Sequence, residues 1–335
     1  TFSKMSHTSY DQQLASFNDM SKKVVEFIKI VSDLWYDQSI ELVIFRNQLV
    51  DKNVSDIVNL HQYAEEFVEK KIAIDDTLAI AKAISEAKLP ASRLDIGKLA
   101  QEFTSGNYAS AQAFVEEKLG NSRSVKSVEP KDVVLYGFGR IGRLLARELA
   151  SQMGKGQQLR LRAVVTRDKN DPVLLEKRAS LLRHDSIHGD FDGNIITDHE
   201  NNALIINGVT VTMISAAQPE DIDYTAYGIN NALIIDNTGV FKDDVALARH
   251  LAAKGADKVL LTAPGKGVPN IVYGVNHEEY NPENVNIFSA ASCTTNAITP
   301  ILKVVEDNLG VVKGHLETIH AYTNDQNLVD NMHKK

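Results

Sequence analysis

The chain has 335 residues, 43% of them hydrophobic, 24% charged and 7% aromatic, with a formal net charge of −8. About two domains fit that length, and the composition excludes a disordered chain, a collagen and a disulfide scaffold. The acidic balance argues against nonspecific nucleic-acid binding, and no apolar run approaches the ~20 residues that span a bilayer, so neither a nucleic acid nor a membrane is expected as a partner. One cysteine, Cys293, excludes an internal disulfide and a thiolate-rich metal site. No metal is assigned. With no signal-peptide pattern, a reducing cytoplasm is the expected compartment.

Glycine usage divides the chain near Pro130. Only Gly97, Gly106 and Gly120 precede it, out of 19. Few glycines and spaced apolar residues predict helices in the first part. Val24, Phe27, Ile28, Val31, Leu34 and Trp35 share one helical face. A further apolar series runs from Ile40 through Phe45 and Leu49. Asp75, Asp76 and Thr77 open a helix that ends near Lys88, before Pro90. Asn107 begins a last helix, with Phe114, Val115 and Leu119 inward and Gly120 as its stop. Residues 121–129 read as a linker. The plain reading of this region is a packed helical appendage. A docking or oligomerisation module, anchored by Trp35 and Tyr36, is the sharper alternative. His61 has no metal-ligand partner at useful spacing and reads as surface or core.

After Pro130 the pattern changes to α/β. Val133–Tyr136 predicts a strand, Gly137-Phe138-Gly139-Arg140-Ile141-Gly142 a turn, and Arg143–Leu149 a helix. A GxGxxG run in that setting is a dinucleotide-binding signature: the first glycine permits the turn, the second admits the pyrophosphate, and the third lets helix and strand pack. A strand at Leu161–Thr166 ends in Arg167-Asp168. An acidic residue there accepts hydrogen bonds from the adenosine ribose. Asp168 favours NAD, because a 2′-phosphate would meet its charge; Arg167 leaves NADP open. Asn207-Gly208 predicts a hairpin between 203–207 and 209–214. Strands at 232–235, 258–262 and 286–289 and a helix at 244–253 complete a parallel, doubly wound pattern.

Cys293 stands in Ser292-Cys293-Thr294-Thr295-Asn296, just before a helix start at Ala297. A helix N-terminus favours the thiolate, which is the nucleophilic form. A lone cysteine is commonly an inert core residue. Flanking hydroxyls, the helix behind and the nucleotide loop upstream favour catalysis here.

The runs GFGRIGR, HDSIHGDF (His184–Phe191), NTGVF (Asn237–Phe241), YGVNH (Tyr273–His277), ASCTTN (Ala291–Asn296) and HAYTNDQ (His320–Gln326) stand in family order. From about Val133 onward the sequence resembles the phosphorylating glyceraldehyde-3-phosphate dehydrogenases. The N-terminal extension resembles that of a longer bacterial subset.

The resemblance implies Cys293 as nucleophile and His320 as general base. Phe138, Arg140 and Ile141 would line the cofactor loop beside Gly137, Gly139 and Gly142, with Asp168 on the ribose. Thr238, Gly239 and Thr262 would border the nucleotide. Ser292 and Thr294 would bind inorganic phosphate, and Thr323 the substrate's phosphate.

The implied fold is a Rossmann-type doubly wound parallel sheet (130–292), preceded by an all-helical region (1–129) and followed by the start of an α+β catalytic domain (293–335). The implied reaction oxidises glyceraldehyde 3-phosphate with NAD and inorganic phosphate, in a homotetramer. The alternatives are an erythrose-4-phosphate dehydrogenase-like enzyme and a non-catalytic nucleotide-binding scaffold. The family's later phosphate-site arginines and nicotinamide asparagine lie beyond these motifs, so the chain by itself is expected to be inactive or nearly so. Ala217-Gln218-Pro219 replaces a common Arg-Asp-Pro run, which alters the expected adenine-side contacts.

Overall fold

The computed structural model describes residues 10–45, 47–68, 72–124, 129–153, 158–169 and 171–321. Two compact units emerge, Thr1–Glu129 with Met153–Gln158, and Pro130–Gln152 with Leu159–Lys335.

In the first unit, helix α1 (Tyr10–Gln38) buries Val24, Phe27, Val31 and Leu34, the face that the spacing predicts. Ser39 takes a left-handed φ of 66° and ends the helix. Strands β1 (Ile40–Ile44) and β2 (Asn47–Gln48) follow. Helices α2 (Val54–Val68) and α3 (Ile74–Glu86) then lead to strand β3 (Ser92–Asp95). β1 pairs antiparallel with β2 and parallel with β3.

The region expected to be all-helical is therefore helical with a three-stranded sheet. The β-branched run Ile40-Glu41-Leu42-Val43-Ile44 buries best as a strand, and the helical crossover returns β3 to its side. Asp95 caps helix α4 (Ile96–Ser105) by accepting from the Gly97 and Lys98 N–H groups. Helix α5 (Ala111–Leu119) begins four residues after Asn107, because Ser110 supplies the cap to the Ala113 N–H. Gly120 stops α5 as expected, and a 3-10 turn continues to Ser124; residues 125–128 of the expected linker lie outside the described residues. His61 is core: its Nδ1 lies 2.8 Å from the Ile57 carbonyl and its Nε2 3.0 Å from Thr77 Oγ1. Burial holds its pKa below the ordinary imidazole value. The Trp35 indole N–H donates to the Met153 carbonyl within the same unit, and Tyr36 is exposed.

In the second unit, strand β4 (Lys131–Tyr136), helix α6 (Arg140–Ser151) and strand β5 (Leu159–Thr166) form the first crossover. Helix α7 (Pro172–Arg183) follows, then the short pair β6 (His184–Asp185) and β7 (Gly189–Asp190). Strands β8 (Ile195–Asp198), β9 (Ala203–Ile206) and β10 (Val209–Ser215) form a meander. Asn207 and Gly208 turn the hairpin with φ of 48° and 82°, the doubly positive geometry that Asn-Gly predicts. Strand β11 (Ala232–Asp236), helix α8 (Asp244–Leu251), strand β12 (Ala256–Leu261), strand β13 (Ile287–Ser289) and helix α9 (Cys293–Leu309) complete the unit.

The large sheet has the order β13-β12-β11-β4-β5-β10-β9-β8. Its strands from β13 to β10 are parallel. Val134, Ala163, Ile234, Val259 and Leu261 are fully or almost fully buried, as strands covered on both faces require. The chain progresses from β4 to β5 on one side and from β11 outward on the other. That reversal puts a crevice beyond the carboxyl ends of β4 and β11.

Candidate active site

The glycine loop lies at that crevice. Gly137 adopts φ +97°, and its N–H donates to the Val165 carbonyl at the end of β5. A Cβ on Gly137 would stand 2.9 Å from Thr238 Cγ2, and one on Gly142 would stand 2.4 Å from the Gly137 carbonyl oxygen. These glycines let β4, the loop, α6 and the β11 turn meet without side chains. Gly139 is the N-cap of α6 and offers no capping side chain, so the N–H groups of the first turn are left for an anion. Asn237 adds a buried Oδ1 with no partner among the described residues. This uncapped, side-chain-free cradle with a spare acceptor fits a dinucleotide. Phe138 is buried and Ile141 is exposed.

Thr238, Gly239 and Thr262 stand on a rigid base. Buried Asp236 accepts from the Thr238 N–H at 2.8 Å and from its hydroxyl at 2.7 Å, and its other oxygen lies 2.8 Å from His250 Nε2. The Thr262 N–H and hydroxyl both donate to the Asp236 carbonyl. Gly239 has φ +68° and open space around it. Tyr136, Phe241 and His250 pack ring edge to ring face beneath this turn. Burial pushes the Tyr136 hydroxyl up to about 12, so it stays neutral.

Asp168 stands two residues beyond β5, half exposed, with Oδ2 2.5 Å from the Arg178 guanidinium of α7. Arg140 points elsewhere than its neighbours suggest. Its Nε lies 3.4 Å from the buried Asp185 carboxylate, and Arg143 Nη2 lies 3.8 Å from the same oxygen. Burial would raise the Asp185 pKa. The His188 and Ile187 N–H groups, the His188 ring and Arg140 overcome burial and hold it well below the usual carboxylate range. Arg143, Asp185, Arg178, Asp236 and His250 were not singled out individually from the sequence. Only burial distinguishes them from ordinary surface charges, and burial is a tertiary property.

The thiol is positioned from below. Buried Ser289, at the end of β13, donates to the Ala263 carbonyl or to Asn270 Oδ1, at 2.7 and 2.8 Å, and accepts from the Ala291 N–H. Ala291 takes φ +60°, a conformation that costs a non-glycine residue about 1–2 kcal/mol. The chain then turns into α9, whose first residue is Cys293, four residues earlier than Ala297. Ser292 is the reason: its Oγ accepts from the Thr295 N–H at 2.9 Å and caps the helix. The Asn296 side chain ties back to the Ala290 and Ser292 carbonyls.

Cys293 Sγ lies 3.0 Å from His320 Nε2. His320 Nδ1 lies 2.6 Å from the Ala321 carbonyl. A carbonyl only accepts, so Nδ1 carries the proton and Nε2 faces the sulfur as the free base or, once protonated, as the imidazolium donor. Each partner shifts the other: the His320 contact lowers the Cys293 pKa, helped by Thr294, and the Cys293 contact raises that of His320. Cys293 is exposed. Thr323 lies outside the described residues. Among the described residues, no cluster of three or more metal-ligating side chains occurs, and no helix is long and apolar enough to cross a membrane.

A doubly wound sheet with a glycine-turn dinucleotide cradle, and a thiol–imidazole pair beyond its strands' carboxyl ends, define the class of NAD-dependent oxidoreductases. Residues 131–244 match the family model for the glyceraldehyde 3-phosphate dehydrogenase NAD binding domain, and residues 292–335 match that for its C-terminal domain. A glyceraldehyde-3-phosphate dehydrogenase-like protein of Pseudomonas aeruginosa is 47% identical over 316 residues, covering 92% of this chain and 68% of its own length.

The chloroplastic glyceraldehyde-3-phosphate dehydrogenase A of Zea mays is 37% identical over 235 residues, 69% of this chain and 56% of its own. The glyceraldehyde-3-phosphate dehydrogenase 2 of a Synechocystis strain is 40% identical over 205 residues, 60% of this chain and 57% of its own. The chain belongs to the glyceraldehyde-3-phosphate dehydrogenase family, and NAD is its cofactor. It spans little more than half the length of the maize and Synechocystis relatives, whereas the Pseudomonas match takes in most of the N-terminal unit as well.

Proposed function

We propose that this chain carries the nucleophile, the base and the dinucleotide site of an enzyme that oxidises glyceraldehyde 3-phosphate, with inorganic phosphate, to 1,3-bisphosphoglycerate. The observation that carries the reading is the 3.0 Å approach of Cys293 Sγ and His320 Nε2 at the first turn of α9. The Cys293 thiolate attacks the aldehyde carbon, forming a C–S bond, and the His320 imidazolium gives its Nε2 proton to the former carbonyl oxygen, which completes the hemithioacetal. His320 Nε2 takes the hydroxyl proton as the carbon is oxidised. Bound NAD supplies the hydride acceptor. The thioester left on Cys293 is attacked by a phosphate oxygen, and the sulfur departs as the thiolate it began as, yielding the acyl phosphate.

The roles of the neighbours follow from their chemistry. Ser292 Oγ already accepts from the Thr295 N–H and lies 2.7 Å from Thr295 Oγ1. One hydroxyl of that pair donates to the other, which leaves one proton to donate outward to inorganic phosphate, beside the Thr294 hydroxyl. Thr323 would hold the substrate's own phosphate. Gly137, Phe138, Gly139, Arg140, Ile141 and Gly142 would hold the pyrophosphate end of NAD, with Thr238, Gly239 and Thr262 along the crevice and Asp168 on the ribose. Cys293 would open a catalytic domain from residue 293. The same reading makes the protein a cytoplasmic homotetramer of central carbon metabolism.

The test is phosphate-dependent NADH formation by the intact polypeptide, with three- and four-carbon phosphorylated aldehydes compared side by side. Abolition by Cys293→Ser and by iodoacetamide, with the three-carbon substrate preferred, is expected. Turnover that survives Cys293→Ser would overturn the proposal.

A further inference from the structure

We propose that Arg178 sets the dinucleotide selectivity by holding Asp168, and that the same guanidinium accepts an adenosine 2′-phosphate when Asp168 loses its charge. The inference rests on the reading of Asp168 as the ribose acceptor and goes one residue further.

Arg178 lies in the second turn of α7, which follows β5. Its side chain is only 8% exposed, whereas that of Asp168 is 50% exposed. Nη2 donates to Asp168 Oδ2 at 2.5 Å, and Asp168 Oδ1 has no partner among the described residues. The arrangement fixes the carboxylate through one oxygen and presents the other outward, where a ribose hydroxyl can donate to it. A guanidinium so nearly buried needs a counter-charge, and Asp168 supplies it. Burial pulls the Arg178 pKa down and Asp168 pulls it back.

The groove that Thr166, Asp168, Lys169, Asp171, Arg178 and Asn202 help to line holds about 10 Å³. That is room for one water beside the held carboxylate, so a 2′-phosphate reaches Arg178 only where the half-exposed side chain of residue 168 is released and swings outward. Asp171 is already occupied in capping α7 through the Val173 N–H. A 2′-phosphate and the Asp168 carboxylate are therefore rivals for one guanidinium. The wild-type chain rejects the phosphate because its partner is taken, and charge repulsion from Asp168 is partly cancelled by Arg178, Lys169 and Arg167 nearby in the chain.

The test is calorimetric binding of NAD and of 2′,5′-ADP to the intact polypeptide and its variants. Asp168→Asn is expected to weaken NAD and to tighten 2′,5′-ADP, each on the order of tenfold, the size of one charge-assisted hydrogen bond. Arg178→Met is expected to weaken NAD several-fold, because Asp168 is no longer held. The double variant is expected to lose the gain toward 2′,5′-ADP. A double variant that binds 2′,5′-ADP as tightly as Asp168→Asn overturns the role of Arg178, and unchanged NAD binding in Asp168→Asn overturns the ribose reading beneath it. A crystal structure of Asp168→Asn with 2′,5′-ADP decides independently of how Arg178→Met folds. The phosphate on the Arg178 guanidinium supports the proposal; the phosphate on Lys169 or Arg167 instead refutes it.

Discussion

Replacing His320 with alanine removes the ring nitrogen that lies 3.0 Å from Cys293 Sγ and leaves the rest of the thiol's surroundings in place. An ordinary cysteine, with a pKa of about 8.5, is only about 3% thiolate at pH 7. In the pair the thiol pKa is lowered and the imidazole pKa raised, so each charged form persists further toward the other's range than it would alone. The thiolate persists below the ordinary thiol range and is lost when acid protonates the sulfur; the imidazolium persists above the ordinary histidine range and is lost when base removes its proton. Complete ionisation at pH 7 sets a ceiling of about thirty-fold over an ordinary thiol. Lower basicity makes each thiolate a weaker nucleophile, with a Brønsted slope of about 0.4–0.5, which offsets part of that gain.

Iodoacetamide alkylation of Cys293, followed by mass spectrometry across pH, should therefore be about three- to ten-fold slower in His320→Ala at pH 7. The ratio should widen as pH falls toward 6. Cys293 is exposed, so access does not limit the rate in either protein. Superimposed profiles for the two proteins would refute the pairing argument.

Gly142→Ala drives a Cβ to 2.4 Å from the Gly137 carbonyl. About 1–3 kcal/mol of stability should be lost, with NAD binding weakened in calorimetry. Asp185→Asn removes the buried carboxylate facing Arg140 and Arg143, and should cost about 3 kcal/mol in urea unfolding. Because the folded pKa of Asp185 is depressed, its stabilising contribution is present above the unfolded carboxylate value of about 3.9 and is lost as pH falls below it. The urea midpoint of wild type should therefore drop faster than that of Asp185→Asn between about pH 5 and 3; parallel curves would contradict this. Ser289→Ala leaves the Ala291 N–H without its acceptor, while Asn270 Oδ1 keeps the Gly265 N–H, at a cost of about 1–3 kcal/mol in thermal or urea unfolding. It should also slow Cys293 alkylation at every pH alike, without moving the pH profile.

The parts of this molecule written in short stretches were legible in the sequence. The strand, glycine turn and helix from β4 to α6 need only local pattern, and so does the Asn207-Gly208 hairpin. The β1–β3 pair was not legible, because Ser92–Asp95 carries a single strongly apolar residue, Leu94, and becomes a strand only beside Ile40–Val43. The same physics hid Arg178 and Asp236. Each is an ordinary charged residue until folding removes its water and supplies one partner. His320 was identified by resemblance alone, since 27 residues separate it from Cys293 and no periodicity links them. α9 starts four residues before the start that the pattern at Ala297 predicts, because the Ser292 hydroxyl caps the helix, a role that its place among other hydroxyl residues does not announce.

The earlier helix start decides the surroundings of the thiol. As the first helical residue, Cys293 sits where the dipole and the unsatisfied N–H groups favour an anion. It is held there by Ser289, Asn270, Ala291 and the Ser292 cap, all on the strand side of the helix. His320 arrives from the far side of α9 in sequence and contacts the sulfur without touching that scaffold in any described hydrogen bond. Thiolate character thus has two physically separate sources, a fixed helix terminus and a titratable ring. The first is independent of pH across the neutral range; the second vanishes when the imidazolium loses its proton. A site that needs a nucleophile at the start of the reaction and a base moments later gains from that separation. In the proposed reaction, proton uptake by His320 would leave the backbone that places the sulfur undisturbed, and departure of the acyl group would restore the same thiolate in the same position.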